Sequence, residues 1–295
     1  MTLCLASFTE NNAYIVGICD AMISNDDWCG DSMAMKARPL PNDWCMMAAG
    51  DQSEATPILE SVRASLLQNR DKSLLSTVTY FQQAFYELLN SKIQHMLKPF
   101  GMNLENYHEI GPALGPTFQS LLFKISTAFV DAKFLVFGYD SANNPHMFTI
   151  RDRGDVEYFD TPGIAAIGSG QTAALGHLFN QRHSRYRPYQ RVLLNVCEAK
   201  FAAERAPGVG RTSLVVVVHP SGEHFTAANL DEARKAYERV RRKPVTKSQR
   251  HAVKTLIAKL ESAHPAEGAK PLRPTQQPAQ LATPQNAPVG DEPIH

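Results

Sequence analysis

With 295 residues, 43% of them apolar and 20% charged, the chain is long enough to bury one substantial core and to carry extensions beyond it. A formal net charge of +1 gives no global reason to expect a nucleic-acid or membrane partner. No apolar run approaches the roughly 20 residues that span a bilayer, and the first residues lack a basic n-region, so a cytoplasmic protein without a signal peptide is expected.

Residues 2–7 and 13–20 read as two short strands joined by a turn at Glu10-Asn11-Asn12, where Asn tolerates hairpin backbone angles. The second is apolar without alternation, the mark of a strand covered on both faces. Another pair is expected at about 33–40 and 44–49, followed by helices at about 54–68 and 75–97. The latter carries Val78, Phe81, Phe85, Leu88 and Leu89 on one stripe. Residues 100–120, rich in Gly and Pro, read as a long connecting loop. Strands are expected at 134–139, 147–151, 156–159 and 164–167, helices at 171–182 and 188–205, and a buried strand at 214–218. Strands, two helices, strands, two helices and a strand suit stacked sheets flanked by helices. The texture changes beyond Phe225. Asn229 with Glu232, and Thr246 with Gln249, have capping-box spacing for two further helices, and the seven prolines between 263 and 295 predict a disordered tail. The expected division is therefore 1–225, a helical extension at 226–262, and the tail at 263–295.

Five cysteines at 4, 19, 29, 45 and 197 form no close C-x-x-C pair, which favours free buried thiols over disulfides or zinc. Ten histidines without ligand spacing predict no metal, and no cofactor is expected. Removal of Met1 exposes an α-amine with an ordinary pKa of about 7.7–8.0 beside the Thr2 hydroxyl, so one residue supplies nucleophile and base. A hydroxyl also needs a cation nearby, and the cation a carboxylate. Asp20, at the end of an apolar strand, and Lys36, among Met33, Met35 and Leu40, are the candidates. Taken singly they read as a turn aspartate and a snorkelling surface lysine. Ala48-Ala49-Gly50 closes a strand ahead of a helix, where the Gly50 amide can face an oxyanion.

Several segments together resemble proteasome β-type and bacterial proteasome-like subunits. Thr2-Leu3-Cys4-Leu5-Ala6 is similar to their opening strand, and Gly17-Ile18-Cys19-Asp20 to the strand that ends in the catalytic aspartate. Met35-Lys36-Ala37-Arg38-Pro39-Leu40 is similar to K-x-x-P-[LI], and Met46 to Gly50 to the strand ending A-A-G. Phe137-Gly138-Tyr139-Asp140 and Ala166-Ile167-Gly168-Ser169-Gly170 resemble two later motifs in the expected order, so the resemblance covers about residues 2–219. It implies an α+β, four-layer αββα sandwich of the N-terminal nucleophile hydrolase kind, with the helical extension added. It further implies a threonine peptidase acting on peptides or unfolded proteins within a homo-oligomeric ring, with an ATPase partner left open. Thr2 is then nucleophile and base, Lys36 stabilises its anion, Asp20 orients Lys36, Gly50 serves the oxyanion hole, and Ser169 positions the amine. Ile23, Ala34, Ala48 and Gln52 would line a mainly apolar pocket for the side chain before the cut.

Ala206 and Val209 occupy positions where active members carry polar residues, so the support of the amine is weakened or rebuilt, with Glu204 as candidate. A non-catalytic ring subunit and a small-amide hydrolase are the rival readings. The basic segment from Arg234 to Arg250 is interleaved with Glu232 and Glu238 and reads as a solvated helix face rather than a nucleic-acid site. Gly208 to Ser213 is only superficially similar to a phosphate loop, and Gly168-Ser169-Gly170 lacks the G-x-S-x-G spacing.

Overall fold

The structure, a computed structural model, describes residues 2–25, 28–31, 36–228, 230–241 and 258. The hairpin begins with β1 (Cys4–Thr9) and β2 (Tyr14–Asp20), joined by a turn in which Glu10, Asn11 and Asn12 all take positive φ. The short pair β3 (Met22–Asn25) and β4 (Trp28–Asp31) follows, then β5 (Ala37–Leu40) and β6 (Trp44–Gly50). Helices α1 (Gln52–Asn69) and α2 (Leu74–Leu97) come next, capped by Asp51 and Ser73, whose side chains accept from Ser53 N and Ser76 N.

The stretch expected to be a loop holds α3 (Tyr107–Ile110) and α4 (Pro116–Thr127) instead. Phe118 and Leu121 of α4 pack with Leu97 and Met102 into a small apolar cluster at the end of α2, which gives the segment a reason to fold. Strands β7 (Val130–Tyr139), β8 (Pro145–Asp152), β9 (Asp155–Tyr158) and β10 (Ile164–Ile167) lead to α5 (Gln171–Asn180) and α6 (Tyr189–Ala203). After β11 (Ser213–His219) the chain adds a strand that the sequence reading omitted, β12 (Gly222–Ala228), and then α7 (Asp231–Arg241). The helix expected from Thr246 and the tail from 263 lie outside the described residues, apart from the single residue 258.

The result is a mixed α and β fold built on two five-stranded antiparallel sheets. One has the order β10-β1-β2-β11-β12 and the other β5-β6-β7-β8-β9. Period-two alternation divides their side chains. Cys4, Ala6 and Phe8 share one cluster with Met47, Ala49, Leu135 and Phe137, so the two sheets meet there. The alternate residues Leu3, Leu5, Val16 and Ile18 pack on Leu178, Val192 and Val196 of α5 and α6. Met46, Phe134 and Phe148 pack on Ile58, Phe81 and Phe85 of α1 and α2. The unalternating apolar strands are thus explained by cover on both faces. Cys4, Cys19, Cys45 and Cys197 are buried thiols outside any disulfide. Leu230, Ala233 and Tyr237 bring α7 into the cluster on α6, and Arg234, expected on a solvated face, is 8% exposed. No helix among the described residues is long and apolar enough to cross a membrane.

His183, beyond α5, ties this layer to β1. Its Nε2 lies 2.7 Å from Ser7 Oγ and its Nδ1 lies 3.4 Å from the Asn195 Nδ2 donor. Burial, followed by the Arg187 guanidinium, holds the His183 pKa down to about 4. An unfolded histidine titrates near 6.5, so between those values the unfolded chain binds a proton that the native chain refuses. Native stability is therefore expected to fall by about 3 kcal/mol as pH drops from about 6.5 to about 4. In denaturant titrations across that window, His183→Gln should flatten the acid limb. An unchanged slope would remove His183 as its source.

Candidate active site

Four of the sequence-predicted residues meet at the ends of strands from both sheets. Asp20 ends β2, where pairing of β1 with β2 (Cys4 opposite Cys19) continues outward as Asp20 N donates to Leu3 O at 3.1 Å. Lys36 stands just ahead of β5 and is fixed by Ala48 N, which donates to its carbonyl at 3.0 Å. Ser169 lies in the turn between β10 and α5, and β10 is itself paired with β1. Thr2 precedes β1 and is only 6% exposed.

Lys36 Nζ donates to Thr2 Oγ1 at 2.6 Å and to Asp20 Oδ2 at 3.0 Å. The ion pair is buried, with Asp20 fully enclosed and Lys36 5% exposed. Such a pair survives only where the remaining lone pairs are satisfied. Asp20 meets that condition, because Oδ1 accepts from Leu3 N (2.7 Å) and Oδ2 also accepts from Met22 N (3.1 Å) and Gly210 N (3.3 Å). An ammonium aimed at a hydroxyl oxygen favours the alkoxide that forms as the proton leaves.

The Ser169 turn grips the other side of Thr2. Thr2 N donates to Ser169 Oγ at 3.3 Å, Ser169 Oγ faces Thr2 O at 3.5 Å, and Gly170 N donates to Thr2 O at 3.2 Å. Gly168 permits the approach. Its φ is +94°, and a Cβ there would stand 2.1 Å from Thr2 O. Gly50 also has positive φ, +97°, because its backbone passes close to Asp131. Gly50 ends β6 two residues beyond Ala48, the residue bound to the Lys36 carbonyl. Cys4 is not a rival nucleophile. Burial, followed by its hydrogen bond with Cys19, raises its pKa well above the ordinary thiol range.

Beside Lys36 lies a small pocket lined by Ala48 and Gln52 together with Arg38, Thr56, Met46, Ala55, Leu59 and Phe134. Ala34 lies outside the described residues, and only the backbone of Ile23, in β3, is described. Glu204 does not rebuild the support of the Thr2 amine. It pairs with Lys200 and Arg234, while Ala206 and Val209 join the apolar cluster under α6. Gly210 was not singled out by sequence, since its contribution is a backbone N–H 190 residues away from Asp20 in the chain.

No family model matches the chain, and no curated protein matches it. Among solved structures, Anbu (ancestral beta-subunit) from Yersinia bercovieri superposes with a TM-score of 0.58, covering 83% of this chain and 99% of that chain. The chain shares the fold of Anbu. At 13% identity the likeness is one of fold alone. The assignment to proteasome β-type or bacterial proteasome-like subunits, drawn from the motifs, is accordingly corrected: neither a family model nor a curated relative carries it, and what stands is a fold-level likeness to Anbu.

Proposed function

We propose that the chain is a threonine-type hydrolase whose nucleophile is Thr2, its amine freed by cleavage after Met1. The observation that carries this reading is Lys36 Nζ, buried between Thr2 Oγ1 at 2.6 Å and Asp20 Oδ2 at 3.0 Å. The freed amine takes the hydroxyl proton, and Oγ1 attacks a peptide carbonyl while the Lys36 ammonium stabilises the developing negative charge on Oγ1. The Gly50 amide donates to the tetrahedral oxyanion, and as the α-ammonium returns its proton to the leaving nitrogen, collapse expels the amine product and leaves an ester on Thr2. Water, deprotonated by the same α-amine, then releases the acid. Ser169, bound to Thr2 N, orients that amine.

In this reading the sheets and helices form a four-layer αββα sandwich, since separate apolar clusters join helices to sheet, sheet to sheet, and sheet to helices. The likeness in fold to Anbu, an ancestral beta-subunit, supports the inference that this chain too is a subunit of a homo-oligomeric ring. Four buried cysteines outside any disulfide fit a reducing compartment such as the cytoplasm.

Intact mass before and after incubation with a threonine-directed epoxyketone tests the chemistry. Loss of Met1 and one adduct are expected, with no adduct on Thr2→Ala. Retained Met1 without an adduct would move the protein to the second reading, a non-catalytic subunit of the same fold. The apolar packing of Ala206 and Val209 near the Ser169 turn is the observation that favours that alternative.

A further inference from the structure

A line of polar contacts leads away from Asp20 through Gly210 to a second buried lysine. Lys200, on α6, is fully enclosed. Its Nζ donates to the carbonyls of Gly210 (2.7 Å) and Arg211 (2.8 Å) and pairs with Glu204 one turn further along the helix. An enclosed ammonium has three protons to place, and here they meet three acceptors.

Arg234 reaches the same loop from α7. It grips Glu204 with two bonds, Nε to Oε2 at 2.9 Å and Nη2 to Oε1 at 2.8 Å, and donates to Arg211 O at 2.7 Å. Glu204 thus stands between two cations that would otherwise repel in a dry setting. Carbonyls 210 and 211 are drawn toward Lys200 and Arg234, which fixes the backbone about Gly210. Its N–H is thereby left on Asp20 Oδ2, the oxygen that also holds Lys36.

We propose that Lys200 is a positioning residue for the Thr2 site, with Arg234 of α7 as the second half of the clamp. By holding residues 210 and 211 they keep Asp20 aligned under Lys36 Nζ. The proposal rests on the reading of Thr2 as nucleophile, and it makes a helix outside the two sheets part of the catalytic support. Asp20 is faced by Lys36 ahead of β5, by Lys200 from α6 and by the Cys4 thiol of β1, with Glu204 and Arg234 behind Lys200.

Lys200→Met in the full chain removes the donors while leaving the Glu204–Arg234 pair in place. For a variant whose thermal unfolding remains cooperative, the rate of epoxyketone addition at Thr2 should fall by on the order of 10- to 100-fold. Peptide turnover should lose kcat with KM nearly constant. Wild-type rate and kcat in Lys200→Met would overturn the proposal.

Should the wild-type chain form no adduct, the Thr2 reading fails by itself, and hydrogen exchange of the Gly210 N–H, which donates to Asp20 Oδ2, decides the clamp. Faster exchange in Lys200→Met supports it and unchanged exchange overturns it. Should Lys200→Met not fold, Arg234→Met and Arg234→Lys take its place. Met is expected to slow addition and Lys to restore part of it, whereas addition at the wild-type rate in Arg234→Met overturns the clamp.

Discussion

Lys36→Met is expected to abolish adduct formation at Thr2 and to destabilise the protein in the same stroke. Methionine keeps the length of the chain but removes the ammonium that spans Thr2 Oγ1 and Asp20 Oδ2. The Thr2 hydroxyl then has no cation to favour its ionised form, and loss of one such preorganised interaction costs about 10²–10³ in rate. Asp20 is fully buried, and breaking a buried pair by removing one partner costs about 3–5 kcal/mol. The three N–H donors of Leu3, Met22 and Gly210 remain on the carboxylate, which places the expected loss toward the lower end. Lys36→Arg should recover much of the stability and little of the rate, since a planar guanidinium cannot reproduce a point charge between two oxygens. Denaturant midpoints and adduct kinetics measured together check both halves. A Met variant that reacts within a few-fold of wild type would remove Lys36 from the chemistry.

Gly168→Ala carries the second large effect. The new methyl would meet the Thr2 carbonyl, a backbone group that cannot swing aside as a side-chain tip can, at a φ of +94° that disfavours any L side chain. Overpacking of this kind costs about 1–3 kcal/mol, and the relief available is a shift of Thr2 away from Ser169 and Lys36. A displacement of about 1 Å at a nucleophile costs on the order of 100-fold in rate. Gly170→Ala is the contrasting variant. Its methyl would meet side-chain atoms of Val209, Ala203 and Leu3, and its φ of −83° is ordinary, so a milder loss is expected. Equal losses in the two variants would show that the turn, rather than the approach to Thr2, sets the effect.

Much of the fold is legible in the sequence, for identifiable reasons. The unbroken apolar runs at 14–19 and 214–218 announce strands covered on both faces, and the contacts on each face bear this out. What escaped was written in weaker ink. The glycines and prolines between 100 and 120 read as a loop, yet Pro116 stands at the first turn of α4, where a missing N–H costs nothing. Among the described residues strand β12 pairs with β11 alone, at a sheet edge, which demands no apolar alternation of it.

The site was legible to the extent that its chemistry sits on side chains. Thr2, Asp20 and Lys36 could be proposed together because a nucleophile, a cation and a carboxylate are needed at once, Ser169 followed only from the motif resemblance, and the structure brings the four side by side. The clamp could not be named, because Lys200 acts on carbonyls and Gly210 through an amide, and neither leaves a trace in residue type. The same logic explains the over-reading of family. Gly50 and Gly168 are demanded by positive φ and close backbone approach, so motifs such as A-A-G and G-S-G follow from the fold itself and mark membership poorly.

The depth of Thr2 also sets an order of events. Thr2 is 6% exposed, with Leu3 and Gly170 bonded on either side of it, and β1 lies inside a sheet between β10 and β2. If Thr2 is freed as the proposed reading requires, an aminopeptidase needs the leading residues extended in its own cleft, so the methionine would have to go while this segment is still loose. The Ser169 turn and Gly210 are made long after Thr2, and the interval for trimming would close when β10 docks on β1. On that reading the hydrolase is switched on by completion of its own fold.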